Sequence, residues 1–256
     1  MERQTISIIT INYNNKSGLI KTIKSVISQT YSNYEYIVID GGSKDGSYDV
    51  LKEFDQYIDF WVSEPDKGIY NAMNKGVKFS TGDYCIFMNS GDTFFDKNVL
   101  SSVFSTNYNE DIISGIAHVG SKKWLPIKKT DISLFQFFIG GLCHQATFIK
   151  KDLLLKKPYD ESQPIVGDSK FFIETLIINN HTYIDINKNV CIYELGGISN
   201  DSKRQREEII KIFNELFPQR IVKDYIAFTD LFLLRKLNPI MKKLKTIKSI
   251  IKREKQ

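Results

Sequence analysis

Two periods of apolar residues alternate along the first hundred residues, and this alternation narrows the folds open to the chain. Short runs rich in β-branched and aromatic residues are typical of strands buried in a parallel sheet. They lie at residues 6–11, 36–39, 60–62 and 84–88. Between them, apolar residues recur at helical spacing over residues 19–27, 50–54 and 69–77. Strands and helices in this order predict an α/β fold with parallel strands and right-handed crossovers.

The second half of the chain alternates less regularly. The pattern of a strand recurs at residues 111–119, 146–149 and 182–193, and residues 169–178 have the pattern of a helix. From residue 201 onward the pattern is helical and increasingly basic. We therefore place a boundary near residue 200.

The positive charge of the chain is concentrated at its C-terminal end. The formal net charge is +5, and residues 235–256 contain nine Lys or Arg against one Glu, a net of +8. The other 234 residues therefore carry 5 − 8 = −3. A weakly acidic body without interleaved aromatic and basic residues gives no stripe that could follow phosphates, so we expect no nucleic-acid partner.

After Pro239, apolar residues at helical spacing alternate with Lys and Arg, which predicts a basic amphipathic helix. Such a helix binds an anionic membrane surface, at about 1 kcal/mol per basic residue. The alternative is a helix that packs its apolar stripe on the body or on a second copy of the chain, as a homo-oligomer. We see no signal peptide or membrane-spanning run, and three widely spaced cysteines indicate a reducing compartment. These features predict a cytoplasmic protein, peripheral on the inner face of the plasma membrane.

Polar residues follow three of the predicted strands at the points where those strands end. Asn12 follows the first strand, Asp40 the second, and the sequence Asn89-Ser90-Gly91-Asp92 the fourth. Ligands of open α/β sheets bind at these carboxyl ends, although the same residue types also form ordinary turns. The helix after Asp40 is expected to begin near Ser43 or Asp45, which are favourable N-cap residues.

Several segments, in order along the chain, resemble the first half of a family 2 glycosyltransferase. They are residues 8–14, 25–31, 36–47, 64–76, 80–84 and 87–92. The resemblance is dense over residues 5–100, patchier to about residue 200, and absent from the tail. The subgroup that it most resembles builds bacterial capsule, O-antigen or exopolysaccharide.

This resemblance implies a GT-A fold, which is a Rossmann-like, mostly parallel central sheet flanked by helices. Residues 1–200 would form the glycosyltransferase domain, with a nucleotide-sugar half at 1–100 and an acceptor half at 101–200. Residues 201–256 would form a C-terminal helical appendage. Residues 196–199 resemble a segment that closes over the donor in relatives.

The resemblance also implies which residues bind a nucleotide-diphosphate sugar, with a UDP-sugar favoured. Asp40 matches the carboxylate that contacts the base, and a group that only accepts hydrogen bonds suits the N–H of uracil or guanine. Gly41 allows the backbone to turn sharply after it. The other donor-binding residues that the resemblance implies are Thr10, Asn12, Gly68, Asn74, Asn89 and Gly91.

Asp92 matches the last position of the family's acidic metal-binding motif. A Mg²⁺ or Mn²⁺ ion between this carboxylate and the diphosphate would neutralise the leaving group. Many relatives carry two or three Asp here, whereas this chain has a single carboxylate, so phosphates and waters would supply the other ligands. His144 is a candidate further ligand or phosphate contact, and the alternative is a structural histidine.

Asp168 matches the acidic position at which the family places its catalytic base. An inverting transfer needs a carboxylate to take the proton of the acceptor hydroxyl as that oxygen attacks the anomeric carbon. An Asp at a helix start is also an ordinary N-cap, and Asp160 and Glu161 are competing bases. Aromatic residues that could contact a saccharide or lipid-linked acceptor, or simply pack in the core, are Trp124, Phe135, Phe137 and Phe138.

The sequence thus predicts an inverting, metal-dependent hexosyltransferase. The alternative is a catalytically silent nucleotide-sugar-binding or membrane scaffold protein, which the missing acidic residues before Asp92 favour.

Overall fold

The apolar runs of the first hundred residues form a four-stranded parallel sheet in the computed structural model, in the order β3-β2-β1-β4. The strands are β1 (Ile6–Asn12), β2 (Tyr34–Asp40), β3 (Phe60–Ser63) and β4 (Tyr84–Phe87). The connecting helices are α1 (Lys16–Ile27), α2 (Ser47–Glu53) and α3 (Ile69–Phe79). The structure describes residues 3–194 and 202–237. The predicted basic amphipathic helix after Pro239 and the segment at residues 196–199 lie outside these ranges.

The burial of these elements explains why the strands and helices of this half of the chain could be predicted from the sequence. Every residue of β1 is buried, because helices cover both faces of the parallel sheet. Helix α3 packs closely against the sheet at Gly76, where a Cβ atom would overlap the side chain of Ile9. Helix α1 begins after Asn15, whose side chain accepts a hydrogen bond from the Gly18 N–H (3.1 Å).

The second half extends the sheet with strands of both directions. Strand β8 (Thr147–Lys150) runs antiparallel to β4 and to β6 (Ile112–Val119), and β9 (Tyr183–Tyr193) runs parallel to β6. Two short strands, β5 (Thr93–Phe94) and β7 (Lys122–Trp124), pair with β9 and β6. The result is a mixed sheet flanked by helices, in which β1 to β4 are all parallel, as predicted. The remaining helices of residues 3–194 are α4 (Val99–Val103), α5 (Leu134–Ile139), α6 (Lys151–Lys156) and α7 (Gly167–Phe172).

Two local details differ from the sequence predictions. Helix α2 begins at Ser47, and its N-cap is the left-handed Gly46, which lies next to the predicted Asp45 and three residues after the predicted Ser43. The Asp45 carboxylate accepts the Ser47 N–H (3.0 Å). The helix predicted at residues 169–178 is α7 followed by a π-helical segment, Ile173–Ile178.

Contacts within the chain divide it into two compact units, Met1–Gln205 and Arg206–Gln256. The main apolar core of the first unit extends from Ile6 to Cys191 and contains residues of both halves of the sheet. The described part of the second unit contains α8 (Ser202–Leu216) from Arg206 onward and α9 (Gln219–Leu237). In it, Phe213 stacks on Tyr225 (4.7 Å between ring centroids). Across the ranges that the structure describes, no helix is both long and apolar enough to span a bilayer.

Candidate active site

The carboxyl ends of β1 and β2 bring Asn12 and Asp40 side by side. The two residues are register partners in the parallel ladder, and the Asn12 side-chain amide donates to Asp40 Oδ1 (2.7 Å). The Gly41 N–H continues the ladder by donating to the Asn12 carbonyl (2.9 Å). The register of two adjacent parallel strands therefore fixes this part of the site.

The Asp40 carboxylate is buried and holds the turn that follows β2. Besides Asn12, it accepts hydrogen bonds from the Ser43 N–H (2.9 Å), the Ser43 hydroxyl (2.5 Å) and the Ser63 hydroxyl (2.6 Å). These four donors use the acceptor positions of a carboxylate. Asp40 thus shapes the strand-end turn, whereas the buried Asn12 Oδ1 has no hydrogen-bond partner among the described residues.

Two residues that were predicted to bind the donor point away from the strand ends. The Thr10 hydroxyl is fully buried and bonds to the Tyr36 hydroxyl (3.0 Å) and the Met88 carbonyl (2.7 Å). The Asn74 side chain donates to the Tyr159 carbonyl (2.9 Å) and accepts the Tyr159 N–H (3.0 Å). In these positions both side chains tie structural elements together, so the structure does not bring them to the site.

The turn after β4 carries Asp92, which is 3 % exposed and accepts the Glu194 N–H at Oδ1 (2.9 Å). Burial raises the pKa of this carboxyl to about 6. Gly91 has a φ of +105°, and a Cβ atom there would overlap the Glu194 carboxylate, so the close turn requires glycine. Gly68 is the N-cap of α3, and its N–H donates to Asp66 Oδ1 (2.8 Å).

The same turn contains oxygen atoms that lack hydrogen-bond donors. Asn89 Oδ1 and the Ser90 hydroxyl are buried, and neither has a partner in the parts of the chain that the structure describes. Carboxylate, amide and hydroxyl oxygens are the ligands that Mg²⁺ and Mn²⁺ prefer. The residues of this turn therefore fit a hard divalent cation.

His144 and Asp168, which are distant in sequence, form a pair next to this turn. His144 Nδ1 lies 2.8 Å from Asp168 Oδ2, and the Asn89 amide nitrogen lies 3.3 Å from His144 Nε2. Because an amide nitrogen only donates, Nε2 of the neutral imidazole accepts and its Nδ1–H donates to the carboxylate. Both ring nitrogens thus have hydrogen-bond partners. In this arrangement His144 is a hydrogen-bond partner of Asp168.

Each member of the pair shifts the pKa of the other. Burial by itself lowers the pKa of His144, but the hydrogen bond and charge of Asp168 outweigh it, so that pKa is raised. Burial likewise raises the pKa of Asp168. The hydrogen bond and charge of His144 outweigh it, together with the hydrogen bond from the Ser169 N–H (2.8 Å), so the pKa of Asp168 lies below its usual value. Asp168 is therefore held as a carboxylate at neutral pH.

Tyr70, which sequence reasoning did not single out, anchors Asp168 from the first half of the chain. Its hydroxyl donates to Asp168 Oδ1 (3.0 Å) and lies 3.0 Å from the Ile165 carbonyl. A Cβ atom at Gly167 would lie 2.8 Å from the Tyr70 ring, so glycine allows this close packing. The only signal in the sequence was its place inside the family-like segment at residues 64–76.

The two competing carboxylates have other partners. Asp160 forms an ion pair with Lys170 (2.7 Å), and although burial raises its pKa, the Lys170 and Ser162 hydrogen bonds lower it to about 2. Glu161 accepts hydrogen bonds from the side chains of Asn71 (2.9 Å) and Asn74 (3.1 Å). Neither residue belongs to the chain of hydrogen bonds that joins Asn89, His144 and Asp168.

Within residues 3–194 and 202–237, no group of three or more His, Cys, Asp or Glu side chains lies close enough together to hold a metal ion. A cation bound at Asp92 would therefore take most of its ligands from elsewhere, such as the donor's phosphates and waters. This agrees with the single carboxylate that the sequence carries at this turn.

Comparison with known proteins identifies the family of the chain. The family model described as "Glycosyl transferase family 2" matches residues 7–165. The chain belongs to glycosyl transferase family 2. It is 31 % identical over 202 residues to an uncharacterized glycosyltransferase of Mycobacterium tuberculosis, and the match covers 76 % of each chain. This glycosyltransferase therefore has the family that its sequence motifs predicted.

Solved structures share the fold of this family 2 glycosyltransferase. S. aureus TarS 1–349 in complex with UDP-GlcNAc superimposes with a TM-score of 0.64 at 15 % identity, over 87 % of this chain and 70 % of that one. The mannosyltransferase PcManGT from Pyrobaculum calidifontis, in complex with GDP-Man and Mn²⁺, gives 0.65 at 13 % identity, over 97 % and 81 %. Of a longer TarS structure the chain spans only 42 %. The predicted α/β, GT-A architecture is confirmed.

Proposed function

We propose that this protein is an inverting, metal-dependent glycosyltransferase that transfers a hexosyl group from a nucleotide-diphosphate sugar to a saccharide acceptor. The observation that carries the proposal is the hydrogen-bonded chain from Asn89 through His144 to Asp168. It joins the turn after β4, where a donor's diphosphate would lie, to a carboxylate of the second half of the chain. An inverting transfer needs both a site for the departing diphosphate and a carboxylate that takes the proton of the acceptor hydroxyl.

In the proposed reaction, Asp168 accepts the proton of the acceptor hydroxyl while that oxygen forms a bond to the anomeric carbon. The bond from this carbon to the diphosphate oxygen breaks, and the nucleoside diphosphate leaves with the electron pair. Tyr70 and His144 hold the carboxylate in place through their hydrogen bonds. A divalent cation held at Asp92, with oxygens of Asn89 or Ser90 beside it, would neutralise the charge on the departing diphosphate.

The ligands of similar proteins support a nucleotide-sugar donor. TarS 1–349 was solved with UDP-GlcNAc, and the mannosyltransferase with GDP-Man and Mn²⁺. For this chain we favour a UDP-sugar and leave Mg²⁺ and Mn²⁺ as equal candidates. Asn12 at the end of β1 offers an acceptor without a partner for a base N–H, and Asp40 and Ser43 shape the turn around it.

We further propose a lipid-linked saccharide acceptor in the synthesis of a bacterial surface polysaccharide. Support comes from the subgroup that the motifs resemble and from the net charge of +8 at residues 235–256, which suits an anionic membrane. The protein would act at the inner face of the plasma membrane. Residues 1–200 would form the glycosyltransferase domain and residues 201–256 the appendage.

The decisive experiment separates donor binding from turnover. We expect a matching UDP-, GDP- or dTDP-sugar with Mn²⁺ to raise the melting temperature of the wild-type protein, because a ligand of the native state stabilises it. Asp168→Asn should keep this stabilisation but lower the rate of nucleoside diphosphate release by about 10²–10⁴-fold, the usual contribution of a general base.

The matched control is Asp160→Asn, which removes a nearby carboxylate that pairs with Lys170 and should keep turnover within a few-fold of wild type. Full activity of Asp168→Asn would place the base elsewhere. Donor binding without turnover in the wild type would favour the silent binding protein.

A further inference from the structure

A basic loop with exposed apolar side chains leaves the sheet after β6. The hairpin turns at Gly120, and β7 is exposed along its whole length. Trp124 is 40 % exposed and Leu125, directly after it, is 62 % exposed. A pair of exposed lysines flanks them on each side, Lys122 with Lys123 and Lys128 with Lys129.

This loop lies beside the candidate active site. The Trp124 indole N–H donates to the Gly141 carbonyl (3.3 Å), and its ring lies 3.9 Å from the position of a Cβ atom at Gly140. Gly141 precedes His144 by three residues. Ile139, which ends α5 next to Gly140, is 55 % exposed. We call residues 122–129 together with Ile139 the Trp124 patch.

The charge of the patch indicates what it binds. Residues 119–142 contain four Lys and one Asp, a net of +3, within a body of residues 1–234 that carries −3. Single exposed apolar residues are normal, but a cluster of three large ones flanked by four lysines marks an interaction site. One of these lysines, Lys129, also lies 3.9 Å from Glu110. Indole rings favour the boundary between lipid headgroups and acyl chains, and lysines are attracted to anionic headgroups.

We propose that the Trp124 patch binds the surface of an anionic lipid bilayer. Trp124 and Leu125 enter the boundary between headgroups and acyl chains, and the four lysines contact the lipid phosphates. The patch is made of other residues than the predicted helix after Pro239, and it adds a second point of attachment. It holds the strand-end site close to the membrane, within reach of an acceptor whose sugars lie near the headgroups.

Trp124 itself reports on this binding, because the chain contains only two tryptophans. In the full-length Trp61→Phe variant, Trp124 is the sole tryptophan. Vesicles that contain phosphatidylglycerol with brominated acyl chains should shift its emission to shorter wavelength and quench it, and phosphatidylcholine vesicles should do so much less. In the matched Trp124→Phe variant, the half-buried Trp61, bonded to Asp55 (2.6 Å), should not be quenched.

The lysines are tested with the same signal. Replacing Lys122 and Lys123 together by Ala in the Trp61→Phe protein should raise the lipid concentration for half-maximal quenching about thirtyfold, at roughly 1 kcal/mol per lysine. The control replaces two exposed lysines far from the patch in sequence, Lys24 and Lys97, and should leave that concentration unchanged within about twofold.

Several results would overturn the proposal. One is vesicle binding without quenching of Trp124, because the C-terminal tail alone would then attach the protein to the membrane. Another is no vesicle binding at all, or equal quenching of Trp61. A third result combines two observations: lipid does not quench Trp124, and the protein self-associates unless Trp124→Ala and Leu125→Ala are introduced together. The patch would then be an interface between two copies of the chain. None of these readouts depends on sugar transfer, so failure of the proposed reaction would leave the membrane result unaffected.

Discussion

The Asp92 carboxyl is buried, and burial disfavours its charged form. Its pKa of about 6 means that the folded chain keeps a proton that the unfolded chain releases near pH 4. Between these pH values the free energy of unfolding falls as pH rises, and above pH 6 the whole penalty of roughly 3 kcal/mol is present. A bound divalent cation would offset this penalty, as expected of a carboxylate kept for a metal.

We therefore expect Asp92→Asn to raise the free energy of unfolding at pH 7.5 in EDTA, by up to about 3 kcal/mol. Asparagine keeps the oxygen that accepts the Glu194 N–H but carries no charge. Near pH 4 the difference should disappear. Urea unfolding at both pH values measures it, and Mn²⁺ with the donor should stabilise the wild type more than the variant.

The control for this prediction is Asp152→Asn, which changes an exposed carboxylate and should alter stability by less than about 0.5 kcal/mol. Equal stability of wild type and Asp92→Asn at pH 7.5 would show that the carboxylate is not destabilised by burial.

At the scale of elements, Asp111 joins the starts of β6 and β9 to the end of β8. Its carboxylate accepts hydrogen bonds from the Lys150 side chain (3.2 Å) and from the N–H and hydroxyl of Thr182 (3.1 and 2.9 Å). It also lies 3.1 Å from His181 Nδ1. Burial raises the pKa of Asp111, but these partners outweigh it and lower the value to about 2. The carboxylate thus stabilises the second half of the sheet in its charged form.

Asp111→Asn should lower the free energy of unfolding at neutral pH by about 2 kcal/mol. Because the folded-state pKa is depressed, this contribution is complete above pH 4 and is lost as the pH falls toward 2. The difference from wild type should therefore shrink on acidification, as measured by urea unfolding at pH 7, 4 and 3. The exposed Asp131, which bonds the neighbouring Thr130 hydroxyl (2.9 Å), gives the control Asp131→Asn. A pH-independent loss would point to packing rather than charge.

At the scale of the whole molecule, the main core of described residues ends at Cys191, before the predicted boundary near residue 200. It includes apolar residues from both halves of the sheet, so those halves share one core and should unfold together. Single domains of this size usually unfold cooperatively.

We expect a fragment of residues 1–205 to fold by itself and to unfold in one cooperative transition. It should retain stabilisation by the donor with Mn²⁺, since Asn12, Asp40, Asp92, His144 and Asp168 all lie within it. Circular dichroism with thermal unfolding, in the presence and absence of the nucleotide sugar, tests both points. A fragment without cooperative unfolding would show that the boundary near residue 200 is wrong.

The sequence by itself determined the α/β fold, the four parallel strands and the family. These depend on local patterns, because residues buried on both faces of a strand and residues on one face of a helix leave regular periods. It also located the polar ends of β1, β2 and β4. Strands of two or three residues, such as β5 and β7, are too short to leave such a period and were missed.

Only the tertiary structure decided which polar side chains face the site. Thr10 and Asn74 point into buried contacts with Tyr36 and Tyr159, and no local pattern reveals that direction. Asp168 meets His144 across 24 residues and Tyr70 across 98, so the group that carries the proposed chemistry exists only after the two halves pack. The physical reason is that hydrogen bonds and pKa values depend on neighbours in space, which the order of residues along the chain does not give.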